Sequence, residues 1–244
     1  MNYYYDFHIH TALSPCAEDE MTPNNIVNMA MISGLDLIAV TDHNAAANLP
    51  ALAKCAAEKG IVFVPGIEVE SAEEVHISCL FPTVDAAQAM GELVNSHLLP
   101  LENQEDVLGA QYIFDAEDNI LGKETRMLLF ASDLGDEEIF RAAWNFGGCA
   151  YFSHVDRDSY SVLSVLGSLP EIIHTNVVEI SNTIRGREFL LERKDLRGKS
   201  VLFSSDCHRL ADMSGRENWI DLPVDRQRLN AQDVINWIRE KDLR

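Results

Sequence analysis

Short apolar runs alternate along most of the chain with longer segments whose apolar residues recur at helical spacing. The apolar runs predict strands, and the longer segments predict helices. Thr22 and Pro23 form a helix start with proline at the first helical position, and Gly34 stands where that helix would end. Further helices are predicted over residues 51–59, 84–97 and 136–146 and from Asn230. Strands are predicted over residues 3–9, 35–40, 61–64, 75–81, 149–152, 177–180 and 201–204, with a weaker candidate at 219–222.

This repetition of strand and helix is typical of parallel α/β proteins. The pattern contains about seven such units, which favours a closed barrel over an open sheet. Residues 99–138 depart from it, because they contain 11 acidic and two basic residues. Within them, Gln111-Tyr-Ile-Phe and Ile120-Leu flank residues 115–119, which predicts a small hairpin on a surface insertion. No linker-like segment is evident, so the sequence predicts one domain over residues 1–244.

Charge narrows the choice of binding partners. The chain carries a formal net charge of -20, which argues against binding long nucleic acid or an anionic membrane through its overall field. A small phosphorylated substrate remains compatible with this charge if bound cations reverse its sign locally.

Cysteine usage and the N-terminal sequence indicate the compartment. The five cysteines are scattered and have no CxxC spacing, which predicts a reducing environment. The N-terminus lacks the basic and apolar regions of a signal peptide, and no run approaches the roughly 18 apolar residues that span a bilayer. We therefore expect a cytoplasmic protein that does not enter the membrane. The oligomeric state stays open.

Imidazoles and carboxylates cluster at the predicted strand ends. His8 and His10 alternate at the end of the first strand, so both rings lie on one face. Parallel α/β barrels place their sites at the mouth where the carboxyl ends of the strands meet. The residues with this placement are His8, His10, His43, Glu68, His154, Asp206 and His208, and His76 lies early in its own strand.

These residues together predict a metal site. Taken alone, a histidine after a strand is usually a loop residue, and a carboxylate there usually caps a turn. Crowding so many of them into one mouth would be costly unless cations neutralise them. With Cys16 the set exceeds the needs of one ion, so two or three metals are implied, and mixed imidazole and carboxylate ligands favour Zn, Mn or Fe. His97 and His174 lie away from the strand ends and are predicted to be structural or surface residues.

Five separated motifs carry a family resemblance. They are Asp6-Phe-His8-Ile-His10-Thr, Thr41-Asp42-His43, Gly66-Ile67-Glu68, Ser153-His154 and Ser205-Asp206-Cys207-His208. In this order they resemble the motifs of the polymerase-and-histidinol-phosphatase (PHP) superfamily, and the resemblance extends from residue 6 to residue 208. It implies a distorted (β/α)7 barrel with a di- or trinuclear metal site that hydrolyses phosphoesters.

The resemblance also implies a role for each matching residue. A first metal would be held by His8, His10, Glu68 and Asp206, a second by His43 and His208, and a third by His76 and His154, with Glu68 as a bridging ligand. Asp6 would orient a ligand histidine. Many trinuclear relatives have a histidine six residues after the HxH motif, where this chain has Cys16. A Cys16 thiolate would replace it on the second metal and favour zinc there. The alternative is a small thiol packed beneath the loop.

Three functions remain open at this point. The first is hydrolysis of a phosphomonoester, either of a small metabolite or of a nucleotide, by hydroxide on a metal that lowers the pKa of water to about 7. Asp206 and His208 would then be catalytic as well as ligating, and Arg157 and Arg185 would hold the phosphate. No serine or cysteine nucleophile is needed, and neither a Walker A nor a GxGxxG motif is present.

The other two functions differ in class. PHP domains also occur in bacterial DNA polymerases, so the second is a nuclease acting on short oligonucleotides or nucleic-acid ends. A basic groove with interleaved aromatic residues would favour it, and none is evident. The third is a non-catalytic metal-binding module, against which the intact ligand set argues.

Overall fold

The computed structural model describes residues 1–171, 173 and 175–242, so His174 lies outside the described residues. The strands are β1 Asn2–Asp6, β2 Leu37–Val40, β3 Val62–Glu70, β4 His76–Leu80, β5 Tyr112–Phe114, β6 Ile120–Lys123, β7 Cys149–Phe152, β8 Val177–Ser181, β9 Ser200–Ser204 and β10 Trp219–Asp221. The helices are α1 Pro23–Ser33, α2 Leu49–Lys59, α3 Val84–His97, α4 Glu105–Leu108, α5 Asp136–Asn145, α6 Val162–Val165, α7 Ile184–Glu192 and α8 Ala231–Asp242.

Eight strands form one curled sheet in the order β10-β1-β2-β3-β4-β7-β8-β9. β1 to β3 run parallel to one another, as do β7 to β9, which confirms the predicted α/β barrel-like class. The prediction of an all-parallel sheet is wrong in two places, since β4 is antiparallel to both its neighbours and β10 is antiparallel to β1. A tight turn closed by the Ser71 N–H and the Val75 carbonyl joins β3 to β4. It is too short for the crossover that parallel strands need.

The segments that follow β1 and β9 meet at one mouth of the curled sheet. Ile9 pairs in parallel with Cys207, and the His10 N–H donates to the Cys207 carbonyl at 3.1 Å. At the other mouth, β10 pairs with the first residues of β1, where Tyr3 is the register partner of Ile220. The barrel is therefore distorted, and its bridged mouth is the one that carries the carboxyl ends of the parallel strands.

Apolar residues fill both faces of the sheet. In β2, Ile38 packs in the cluster that includes α1, α2 and α3, whereas Leu37 packs in the cluster that includes α8. Burial of both faces explains why β2 is a continuous apolar run. The strand ends that carry the polar residues are thus held on a close-packed support. Within the part of the chain that the structure describes, no helix is long and apolar enough to cross a membrane.

Local signals set the helix ends and the hairpin. Thr22 caps α1 by accepting from the Asn25 N–H, and Gly34 ends it with a φ of +72°, as the sequence predicts. The predicted hairpin in residues 99–138 is confirmed as β5 and β6. Phe114 of β5 is buried, and its N–H donates to the Asn48 side chain at 2.9 Å, which docks the hairpin on the barrel.

Candidate metal centre

The polar residues at the strand ends converge on the bridged mouth. Those after β1, β2, β7 and β9 arrive there because these strands run parallel. His76 arrives by a different route, since it is the first residue of antiparallel β4 and pairs with Glu70 near the end of β3. Reversal of β4 therefore brings its amino end, rather than its carboxyl end, to the mouth.

Glu68 lies at the centre of the cluster, and neither of its oxygens is exposed. Burial disfavours its ionised form, but the surrounding imidazoles, above all His76 and His8, hold the pKa of the Glu68 carboxyl well below its usual range. Its Oε1 lies 3.2 Å from His8 Nε2, His76 Nδ1 and His154 Nε2, and its Oε2 lies 3.0 Å from His43 Nδ1 and 3.5 Å from His10 Nε2.

The donor atoms of this cluster fit metal ions. Both Glu68 oxygens and Asp206 Oδ1 are buried and accept no hydrogen bond from the described residues, an arrangement that native proteins otherwise avoid. The Nε2 atoms of His8 and His10 lie 3.1 Å apart. Three groups of donor atoms converge, namely His8, His10, Glu68 and Asp206; His10, His43 and His208; and His43, Glu68 and His76. The oxygen and imidazole donors in these groups suit divalent transition metals.

Glu179 orients the first of these ligands. Its Oε1 lies 2.8 Å from His8 Nδ1 and accepts from the His154 backbone N–H at 3.1 Å. A proton on Nδ1 leaves the Nε2 lone pair of His8 facing the cluster, as metal-binding histidines require. The sequence does not single out Glu179, although a charged residue within the apolar run of β8 is a signal that could have found it.

A chain of hydrogen bonds through Ser14 and Asp42 orients His10. Its Nδ1 lies 2.9 Å from the Ser14 hydroxyl, which lies 2.8 Å from Asp42 Oδ1. Asp42 also accepts from the backbone and the hydroxyl of Thr11 at 2.7 Å each. Burial raises the pKa of Asp42 to about 6, against the effect of these hydrogen bonds. Asp42 of the Thr41-Asp42-His43 motif therefore fixes the loop after β1.

The surrounding charges set the protonation of the first two ligands. Burial opposes the charged form of His8, but the carboxylates of Glu179, Glu68 and Asp206 raise the pKa of His8 well above its ordinary value. At His10, burial and two neighbouring imidazoles hold the pKa well below that value. His8 must therefore give up a proton when a metal binds, which couples metal affinity to pH.

Two of the cluster residues have unusual backbone conformations. His154 has a φ of +28° and Asp206 a φ of +51°, in the left-handed region that residues with a side chain rarely adopt. Gly66 permits a close approach, because a Cβ there would lie 2.7 Å from the Thr41 side chain and 2.8 Å from that of Leu80. Strain and tight packing thus fix the directions of the side chains around Glu68.

Asp6 does not orient a ligand histidine in this structure. Its carboxylate accepts backbone N–H groups from Ser205 at 3.0 Å and Ser214 at 2.9 Å. It thereby fixes the loop that leads to Asp206, and the orienting role expected of it belongs to Glu179. The expectation for Asp6 came from the family resemblance, whereas the contacts of its carboxylate depend on a loop 199 to 208 positions further along the chain.

The remaining candidate residues, Arg157, Arg185 and Cys16, differ in how close they lie to the cluster. Arg157 Nη1 is 2.6 Å from Asp206 Oδ2, at the site. Arg185 pairs with Asp158 at 3.6 Å, its side chain is 84% exposed, and it does not line the cavity above the cluster. Cys16 is exposed and lines that cavity, and none of the convergent donor groups among the described residues includes it.

A cavity of about 320 Å³ opens above the cluster, within the size range of small-ligand sites. Its floor consists of cluster histidines and Asp206. Its upper wall contains Cys16, Glu70, Leu129, Arg157, Ser159 and Tyr160. His97 lies elsewhere, at the end of α3, with Nδ1 2.5 Å from Asp133 Oδ1, as expected of a surface residue.

The sequence model of the PHP domain family matches residues 6–136, which is more than half of the chain. The chain belongs to the PHP domain family. The resemblance seen in the motifs is thereby confirmed, and with it a family of metal-dependent hydrolases. His154, Asp206 and His208 lie beyond the matched segment, so their place in this PHP domain rests on the geometry of the cluster. Among curated proteins, no sequence matches this chain significantly.

Solved structures share the fold of this PHP domain. The lesion-specific endonuclease Q from Pyrococcus furiosus has a TM-score of 0.66 at 18% identity, covering 98% of this chain and 56% of the endonuclease. Endonuclease Q in complex with a 27-mer duplex carrying an abasic lesion gives 0.65 at 19%, covering 98% and 57%. A protein from Bifidobacterium adolescentis assigned as a metal-dependent phosphoesterase gives 0.57 at 18%, covering 98% and 96%. This chain thus spans little more than half the length of endonuclease Q.

Proposed function

We propose that this PHP domain is a metal-dependent phosphomonoesterase that acts on a small phosphorylated substrate. One observation carries the proposal: the buried oxygens of Glu68 and the buried Oδ1 of Asp206 belong to a cluster whose histidines and Asp206 form the floor of a small cavity, and the wall of this cavity bears the guanidinium of Arg157. Buried carboxylate oxygens that accept no hydrogen bond are stabilised by bound cations, and a phosphate ester bound next to those cations would also meet Arg157.

Different residues of the chain would have different roles in the reaction. Two or three divalent ions, Zn, Mn or Fe, would supply Lewis acidity and an acidified water when bound. Glu179 holds the Nδ1–H of His8, so that its Nε2 faces the ions. Glu68 lies among five histidines and would hold the ions together with them.

Arg157 would bind the phosphoryl group. It pairs with Asp206 through Nη1, and its side chain is 41% exposed at the cavity. The donors that Asp206 does not use remain available to phosphoryl oxygens, which the planar guanidinium can bind in pairs. Arg157 would therefore orient the substrate and stabilise charge that develops on the phosphoryl oxygens.

Phosphate release tests this function. The purified protein should release phosphate from members of a phosphometabolite panel, lose this activity after chelation, and regain it with Mn or Zn. Glu68→Gln should lower kcat/KM by at least about a hundredfold, since it removes the central charge, whereas exposed Glu188→Gln serves as the matched control. Full activity after exhaustive chelation, or a phosphorylated protein trapped by acid quenching, would contradict the mechanism.

A nuclease is the second candidate, and the likeness of the whole chain to endonuclease Q favours it. This likeness weakens the expectation that no long nucleic acid binds. End-labelled single strands and a duplex with an abasic site separate the two candidates. Release of inorganic phosphate alone from strand ends supports the phosphomonoesterase, whereas release of nucleotides from an end or cleavage within a strand supports the nuclease.

A further inference from the structure

Tyr160 is held in a backbone conformation that a bulky residue rarely adopts. Its φ is +55°, in the left-handed region. The His76 N–H donates to the Tyr160 carbonyl at 2.9 Å, and the buried Ser161 hydroxyl donates to the Val155 carbonyl at 2.9 Å. These bonds fix the position of Tyr160 at the mouth. Strain of this kind persists where the surroundings enforce it, often beside a ligand site.

The ring of Tyr160 presents a planar surface to the cavity. It stacks on His76, with ring centroids 4.7 Å apart and an interplanar angle of 15°. Tyr160 is nevertheless 47% exposed, and it lines the cavity together with the metal cluster. Across residues 1–171, 173 and 175–242, His76 is the one aromatic partner of this ring, and no Lys or Arg lies over it. Half of its surface is therefore available to a ligand.

The wall of the cavity includes two surfaces of different chemistry, beside Cys16, Glu70 and Ser159. Arg157 offers guanidinium donors, whereas Tyr160 and Leu129 offer aromatic and apolar surface. A phosphate ester held near Arg157 and the cluster would share the same cavity of about 320 Å³ with this aromatic and apolar surface. A planar unsaturated ring is the group that stacks best on an aromatic surface, and such stacking tolerates different bases.

We propose that Tyr160 is a specificity-determining residue that selects phosphomonoesters whose leaving group carries a planar ring, as nucleoside monophosphates do. This inference rests on the proposed phosphomonoesterase function. An aliphatic phosphate would meet the same Arg157 and the same metal cluster, but would leave the surface of Tyr160 unused.

Adenosine 5′-monophosphate and ribose 5-phosphate provide a matched test, because they share phosphate and sugar and differ in the base. The metal-loaded wild-type protein should prefer the adenosine ester by about tenfold in kcat/KM, the range of base–aromatic stacking. Tyr160→Leu should abolish this preference by slowing the adenosine ester alone. Tyr160→Phe keeps the ring and should keep the preference. Metal content is measured for each variant.

The outcomes distinguish recognition of the base by Tyr160 from a purely structural role in which Tyr160 only packs on His76. Equal losses on both esters in Tyr160→Leu, or loss of metal from that variant, would overturn the proposal, as would an unchanged preference. If the wild type hydrolyses neither these esters nor any member of the phosphometabolite panel, the phosphomonoesterase proposal fails by itself. Calorimetric binding of the two esters to the metal-loaded protein then decides the role of Tyr160. Tighter binding of the adenosine ester that Tyr160→Leu abolishes supports the inference, and equal binding of both esters overturns it.

Discussion

The contact between Glu179 and His8 yields a quantitative prediction. In Glu179→Gln the side chain keeps its shape, and the His154 backbone N–H still requires an acceptor, which holds the amide oxygen where Oε1 stands. His8 then keeps its Nδ1–H partner and its orientation but loses the negative charge 2.8 Å away that makes it a stronger base. Outer partners of metal-bound histidines contribute 10–100-fold in affinity, and loss of charge without loss of geometry places this variant near the lower end, at about tenfold or 1.4 kcal/mol.

Metal affinity is the quantity to measure. Competition with a chromogenic chelator gives the dissociation constants for Zn and Mn of the wild type, Glu179→Gln and the exposed control Glu188→Gln. If the amide turned and offered its NH2 to Nδ1, His8 would carry its proton on Nε2 and could not bind metal, so affinity would fall well beyond a hundredfold. A Glu179→Gln variant that binds both metals as tightly as the control does would refute the reasoning, since His8 would then need no carboxylate behind it.

Three further predictions concern other residues. Arg157→Ala should lower kcat/KM by about tenfold while Arg185→Ala leaves it unchanged, because only the first guanidinium lines the cavity, and equal losses in steady-state kinetics would contradict this. Cys16→Ser should weaken binding of Zn more than of Mn if the thiolate completes the second metal site, and unchanged Zn affinity in chelator competition would assign Cys16 to packing. Burial and neighbouring Glu73 raise the pKa of Asp136 to about 6, so between its ordinary pKa and this value the folded state holds a proton that the unfolded state has released, and stability falls as pH rises. Asp136→Asn should therefore stabilise the protein at pH 8 and have little effect near pH 4 in denaturant titrations, and equal effects at both values would contradict the assignment.

The strands and the convergence of their ends could be predicted because both depend on local pattern. Apolar runs identify the strands, and alternation places His8 and His10 on one face. The direction of β4 was the main error in the sheet, since strand–helix counting assumes a crossover after each strand. The interval between the run at residues 61–64 and that at 75–81 contains no helical pattern, and in the structure β3 simply continues to Glu70 before turning back.

The supporting contacts of the site could not be predicted in the same way. Glu179 is contributed by a strand far along the chain, and its meeting with His8 depends on the order of strands in the sheet. The positive φ of Asp206 and His154 has no local signature, because neither residue is a glycine and tertiary packing enforces the conformation. Arg157 and Arg185 both follow strands near the site, and only the packing of the loops separates the one at the cavity from the one in solvent.

The bridge between Ile9 and Cys207 has a consequence for biosynthesis. The two ends of the ligand set are separated by almost the whole described chain, so His8 and His10 leave the ribosome roughly ten seconds or more before Asp206 at ordinary rates of synthesis. During that interval a cation would meet imidazoles without the carboxylate that completes the first group. Contacts so distant in sequence also form late in folding, because a long loop must close before they can contribute. Binding of metal by the complete cluster would therefore belong to the last stage of maturation, after the segment that carries Asp206 has been made and has met the segment after β1.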